Sequence, residues 1–147
     1  GYITEGEALG MARKDRKMKF PIDIAVEEVV AAVKGEGLAY DEDDSLPYAS
    51  ARPVSNTASA IDFSLDTNLV EASGTLLVTH DNSLGLVEVY VVDFDPGSFR
   101  MVNDERIELT ARTFALDLTD SLVQSPRVAH VRAGSKWEEM LSFELVF

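Results

Sequence analysis

The chain reads as a mainly β protein, an antiparallel β-sandwich or flattened barrel of about seven strands with one or two short helices near its N-terminus. Three observations predict this. The stretch 84–95, LGLVEVYVVDFD, is the most apolar and most β-branched in the chain, with Val87, Val89 and Val91 on one side and Leu86, Tyr90, Val92 and Phe94 on the other. A strand apolar on both sides is buried on both, which calls for a layer over each face, most simply a second sheet. Alternating runs separated by turn residues recur from Ala60 to the C-terminus. Within 106–118 the apolar phase flips near Arg112, from Ile107, Leu109 and Ala111 to Phe114, Leu116 and Leu118, as at a bulge or a corner between sheets.

Taken in order, Thr4-Glu5-Gly6-Glu7 resembles a capping box, and a short helix over 5–17 opens with acids and closes with bases. Gly6 and Gly10 weaken it, and its apolar residues form no continuous stripe. Phe20-Pro21 breaks that segment, and Asp23 then caps a second helix over 24–34. Val26, Val29, Val30 and Val33 share one face of it, and Gly35 ends it. A strand over part of this β-branched stretch is the rival reading. Residues 36–58, with four consecutive acids, Pro47 and Pro53, read as a long acidic loop.

Ile61, Phe63 and Leu65 alternate with Asp62, Ser64 and Asp66 as a half-buried strand, and a second strand covers 74–80. Asp81-Asn82 turns it into the central strand, after which Asp95-Pro96-Gly97-Ser98 turns the chain back. Strands over 99–102 and 106–118 follow, joined at Asn103-Asp104. A last hairpin pairs 128–133 with 137–147 through a two-residue turn at Gly134-Ser135. The organisation is a basic arm, 1–20, followed by a single β-rich domain, 21–147.

A chain of 147 residues buries about 68 to 70% of its unfolded surface and needs no staples. Cysteine is absent, which removes disulfides, thiolate zinc ligands and cysteine nucleophiles. Compartment stays open. No apolar run reaches the roughly 20 residues of a transmembrane helix. Thirteen basic against 26 acidic residues leave a formal charge of −13, so nucleic acid is not expected as a partner of the body. Five of the bases, Arg13, Lys14, Arg16, Lys17 and Lys19, crowd into one segment with Asp15, which carries a net +4 and leaves −17 on the remainder.

Candidate chemistry is sparse. Asp41-Glu42-Asp43-Asp44-Ser45 begins like a calcium loop, but Leu46 stands where glycine is required and Arg52 where a bidentate glutamate is required, so an EF-hand is excluded. Asp41 and Asp43 in that loop, and Asp93 and Asp95 at the end of the central strand, are the carboxylates that a hard cation such as calcium would use. No other cofactor is implied. His80-Asp81-Asn82-Ser83 contains the letters of a triad, but neighbouring strand residues point to opposite sides; His80 reads as a turn residue and His130 as a surface strand residue. No nucleophile elbow, zinc-protease helix or phosphate-binding glycine loop is present. These features predict a non-enzymatic structural or interaction protein, a self-assembling subunit of virion or appendage type, whose arm residues 13–19 dock on the acidic body of another copy. The alternative is a β-sandwich module that binds a carbohydrate or another small ligand, assisted by calcium.

Overall fold

In the computed structural model, residues 20–38, 48–66, 71–95 and 104–146 are described, and they form one six-stranded antiparallel sheet with two helices. The elements are α1 (Pro21–Leu38), β1 (Tyr48–Ser55), β2 (Ala58–Asp66), β3 (Glu71–Asp81), β4 (Leu86–Asp95), α2 (Asp104–Leu122), β5 (Val128–Ala133) and β6 (Glu139–Leu145). The strand order is β1-β2-β3-β4-β6-β5, so the chain leaves β4, crosses through α2 to the far margin, and returns as β6 into the gap beside β4. The β-rich, antiparallel expectation agrees with this; the seven-stranded sandwich or barrel does not. Where a second sheet was expected, α1 packs over β1 to β3, α2 over β4 to β6, and the helices touch each other. The arm 1–19, the helix over 5–17, Asp41 and Asp43, and the strand over 99–102 lie outside the described residues.

The largest correction concerns 106–118, which is helix and not strand. Its phase flip is what a 3.6-residue period looks like when read two at a time: Ile107, Ala111, Phe114, Leu118 and Leu122 follow steps of four, three, four and four. Of these, Ala111, Phe114, Leu118 and Leu122 are buried, whereas Leu116, which shares the strand parity of Phe114 and Leu118, is 57% exposed. Phe114 stacks on Phe63 with ring centroids 5.1 Å apart and lies 6.4 Å from Phe94, which ties α2 to β2 and β4.

Helix α1 starts earlier and runs further than its sequence suggests. Pro21 occupies the first turn, where its missing N–H costs nothing, and the Phe20 carbonyl accepts from Asp23 N at 2.9 Å. Asp23 does not cap from in front; its carboxylate reaches back to accept from Phe20 N at 3.1 Å. Ile22, Ala25, Val26, Val29, Ala32 and Val33 are buried at helical spacing, and that burial overrides their poor intrinsic propensity. Gly35 lies inside the helix and does not end it. The expected loop at 36–58 is shorter than predicted, because α1 extends to Leu38 and 48–55 is the edge strand β1.

Strand bulges explain the rest of the sequence pattern. Val91 pairs with Leu76 and Asp93 with Thr75, so Val92 is the extra residue; it is 64% exposed, and Phe94 swings to the helix-covered face beside Phe63. Val87 and Val89 are buried against the helices, but Leu86, Glu88 and Tyr90 are half-buried on a face that no described element covers. Opposite this bulge, a Cβ on Gly74 would meet Asp93 O at 2.0 Å, so only glycine allows the two backbones to approach. A second bulge between Val89 and Tyr90 leaves Met140 as the additional residue on β6, so that consecutive Met140 and Leu141 are both buried. His80 is a buried residue of β3, not a turn residue. The turn is made by Asp81, whose carboxylate accepts from Ser83 N, Ser83 Oγ and Leu84 N; the Ser83 hydroxyl contributes most to holding it below the usual carboxylate range.

Candidate functional site

Three places on this frame carry concentrated polar or exposed apolar groups. The first is the sheet face that no described element covers. Arg52 Nε donates to Asp62 Oδ2 at 3.1 Å and Thr75 Oγ1 donates to Asp62 Oδ1 at 2.8 Å, a bridge across β1, β2 and β3. The Arg52 hydrogen bond, followed by that of Thr75, lowers the Asp62 carboxyl below its ordinary value. Two strands further on, Tyr90 OH donates to Glu88 Oε2 at 2.6 Å, and this bond with partial burial pushes the phenol up to about 12. These are exposed or half-buried pairs, each of the kind that contributes about 1 kcal/mol or less. They hold a polar surface in register and align no nucleophile with a base.

Asp93 and Asp95 also project to this face, across from Thr75 and Ser73. The structure thus places the two predicted carboxylates two residues apart on one strand, about 7 Å along it. Among the described residues, no group of three or more His, Asp or Glu side chains is arranged to hold a metal ion. The other two predicted ligands, Asp41 and Asp43, and the arm residues Arg13, Lys14, Arg16, Lys17 and Lys19 are not among the described residues.

The second place is the pair of sheet margins. β1 carries Pro53 beside a register shift at Ser55, and β5 carries a bulge at His130, which has a positive φ of 54°. His130 Nδ1 contacts Glu144 Oε2 across that bulge. Proline, bulges and charge are the devices that stop an edge from recruiting a foreign strand. Neither margin is a clean template for strand addition.

The third place was not legible in the sequence. A groove of about 120 Å³ lies between α2 and the β5–β6 hairpin, lined by Arg112, Ala115, Leu116, Ala133, Gly134, Lys136, Trp137 and Met140. Its floor is apolar, its rim carries two cations, and among the described residues no carboxylate lines it. The hairpin's shape makes the groove. The connection is five residues, 134–138, not the predicted two-residue turn, and it is closed by Gly134 N donating to Met140 O at 3.0 Å and Glu139 N donating to Lys136 O at 3.1 Å. Trp137 therefore sits in the turn, half-buried, and not in the strand. Ala115 and Leu116 lie three and four residues beyond Arg112 and share a helix face with it, a spacing that strand parity conceals. Across the molecule, Arg127 Nε donates to Glu28 Oε1 at 2.8 Å and fixes the start of β5 against α1.

No protein-family description, curated protein or solved structure matches the chain. No helix among the described residues is long and apolar enough to cross a membrane.

Proposed function

We propose that this protein is a non-enzymatic structural subunit that associates with copies of itself head to tail, in the manner of the subunits that build virion or appendage assemblies. The observation that carries the reading is the separation of opposite charges along the chain: Arg13, Lys14, Arg16, Lys17 and Lys19 crowd into one segment, four consecutive acids occupy 41–44, and Arg112 and Lys136 line the groove by β5 and β6. Opposed charges on different patches favour a heterologous contact, and a heterologous contact propagates into rings or filaments. The guarded edges support a contact made by side chains, without strand pairing across the interface.

The charge imbalance supports the same reading. Residues 13–19 carry +4 while the remainder carries −17, so the arm of one copy is attracted to the body of the next. At about 120 Å³ the groove is smaller than the roughly 300 to 1,000 Å³ of small-molecule sites, so it is not itself such a site. It has room for one or two side chains. The test is sedimentation of the full chain at increasing salt. Assemblies held by exposed charges shrink as salt rises, because exposed charges separated by more than a Debye length, about 8 Å at physiological ionic strength, are largely screened from one another. Replacing Arg13, Lys14, Arg16 and Lys17 with Glu is expected to dissociate them further; unchanged assembly in that variant would remove the arm from the contact.

A further inference from the structure

We infer that the tip of the β3–β4 hairpin, led by Leu84, inserts into the groove between α2 and the β5–β6 hairpin of a second copy of this chain; the inference rests on the self-assembly proposed above and names a contact for it. Leu84 is 67% exposed, more than any other large apolar side chain among the described residues. Its turn is tied down: the Asp81 carboxylate accepts from Ser83 N, Ser83 Oγ and Leu84 N, and Gly85 N donates to Asp81 O at 2.8 Å. A backbone held in this way loses little freedom when it docks. Asp81 is exposed and its three bonds all end on Oδ1, which leaves Oδ2 to meet a cation beside Leu84. The groove is the complement of this tip. Ala115, Trp137 and Met140 give it an apolar floor, and Lys136 stands at its rim. Arg112 is already engaged elsewhere, whereas Lys136 is exposed and makes no ion pair among the described residues. An apolar side chain next to a carboxylate thus faces an apolar floor next to an ammonium, complementary in both shape and charge.

Strand register makes the partner another copy, because tip and groove lie at opposite ends of β4. Lys136 and Trp137 belong to the connection just before Glu138, whose carbonyl accepts from Val91 N at 2.8 Å. Leu86 begins β4 at the other end, and the stretch from Leu86 to Val91 covers about 16 Å of strand. Leu84 lies further out still, in the turn, and the groove is displaced sideways as well, since β6 and β5 follow β4 across the sheet. A leucine side chain extends only a few ångströms from its backbone. Both hairpins are anchored by sheet pairing, so no Leu84 reaches its own groove. Val146, 48% exposed and two residues past Glu144, the partner of Leu86, adds apolar surface at the same end as Leu84. A tip at one end and its receptor at the other make the contact heterologous.

Two variants of the full chain, compared by native mass spectrometry at low salt, test the contact. L84D puts a charge on the tip, and A133W fills the groove from an exposed position in its wall. Neither replaces a core residue, so both should keep the thermal transition of the unmodified chain. Each alone should associate about tenfold more weakly than the unmodified chain, as when a buried apolar anchor is lost. L84S, which removes the anchor without adding charge, should weaken association in the same direction. Mixed in equal amounts, L84D and A133W chains retain one intact contact, the Leu84 of the second in the groove of the first. Mixed pairs should then exceed the number expected from random mixing. Full-strength association of L84D or L84S, or random pairing in the mixture, overturns the inference and leaves self-assembly through another contact standing. An unmodified chain that stays monomeric at every concentration overturns both.

Discussion

Three alanine substitutions along α2 test whether 104–122 packs as the helix that defines this fold. Phe114 and Leu118 are fully buried and Leu116 is 57% exposed. Truncating a buried phenylalanine costs about 3 to 5 kcal/mol through lost transfer energy and the cavity left behind, and a buried leucine about 2 to 5 kcal/mol. Phe114 belongs near the top of its range, since it also loses ring contacts with Phe63 and Phe94. Leu116→Ala should change stability by no more than about 0.5 kcal/mol, because the site is largely solvated and alanine is the better helix former. With a urea m-value of about 2 kcal/mol/M, a 4 kcal/mol loss moves the unfolding midpoint by about 2 M, well above measurement error. Phe114→Leu, a milder truncation, keeps the series readable if Phe114→Ala leaves too little folded protein. Urea titrations followed by far-ultraviolet circular dichroism give all the values. In a strand, residues 114, 116 and 118 would share one face, so a Leu116→Ala loss as large as that of Leu118→Ala would refute the helical packing.

Three other expectations follow from local geometry. Gly134→Ala should destabilise the β5–β6 hairpin by several kcal/mol, on the order of a severe overpacking, because the added Cβ would lie 1.4 Å from Glu139 O; near-native stability in thermal melts would count against the turn as described. Tyr90 should ionise near 12 in an ultraviolet titration, and Glu88→Gln should bring it back toward 10, since its acceptor carboxylate is the main cause. Because the folded phenol is raised, its stabilising contribution is complete below pH 10 and is lost as pH rises through about 12. Asp117 is raised by burial first and by Asp120 second, so the folded state binds its proton more tightly and bears a cost at neutral pH that is relieved as pH falls through the raised value. Asp117→Asn should therefore raise the melting temperature at pH 7 and lose that advantage below about pH 3.8, the ordinary value; a variant melting lower at pH 7 would refute it.

What could be read from sequence follows from how each element is buried. β2, β3 and β4 were legible because they sit mid-sheet under both helices, where alternation is enforced by a covered face: Ile61 and Phe63, Leu76 and Val78, Val87 and Val89. β1 was hidden because it is an edge strand in which only Ala49 is buried, and Pro53 reads as loop. α2 was misread because its apolar residues satisfy two alternating runs of three as readily as one helical stripe, and length was the evidence that distinguishes them: 19 residues exceed any strand here. The second apolar face of β4 was overcounted, since the bulge at Val92 returns Phe94 to the face of Val91. The groove has no sequence signature, because Arg112 and Lys136 meet only through tertiary packing. Asp93 and Asp95 share one face of β4, yet a face shared by two acids is not a ligand set.

The measurement that bears most directly on head-to-tail association is the mass distribution of the full chain by native mass spectrometry as concentration is raised at low salt. The proposed heterologous contact would leave a free end on every open oligomer, so species beyond the dimer are expected, growing until a ring closes or a filament extends, and shrinking as salt is added. A chain that remains monomeric throughout, or that stops at a dimer whatever the concentration, would contradict it.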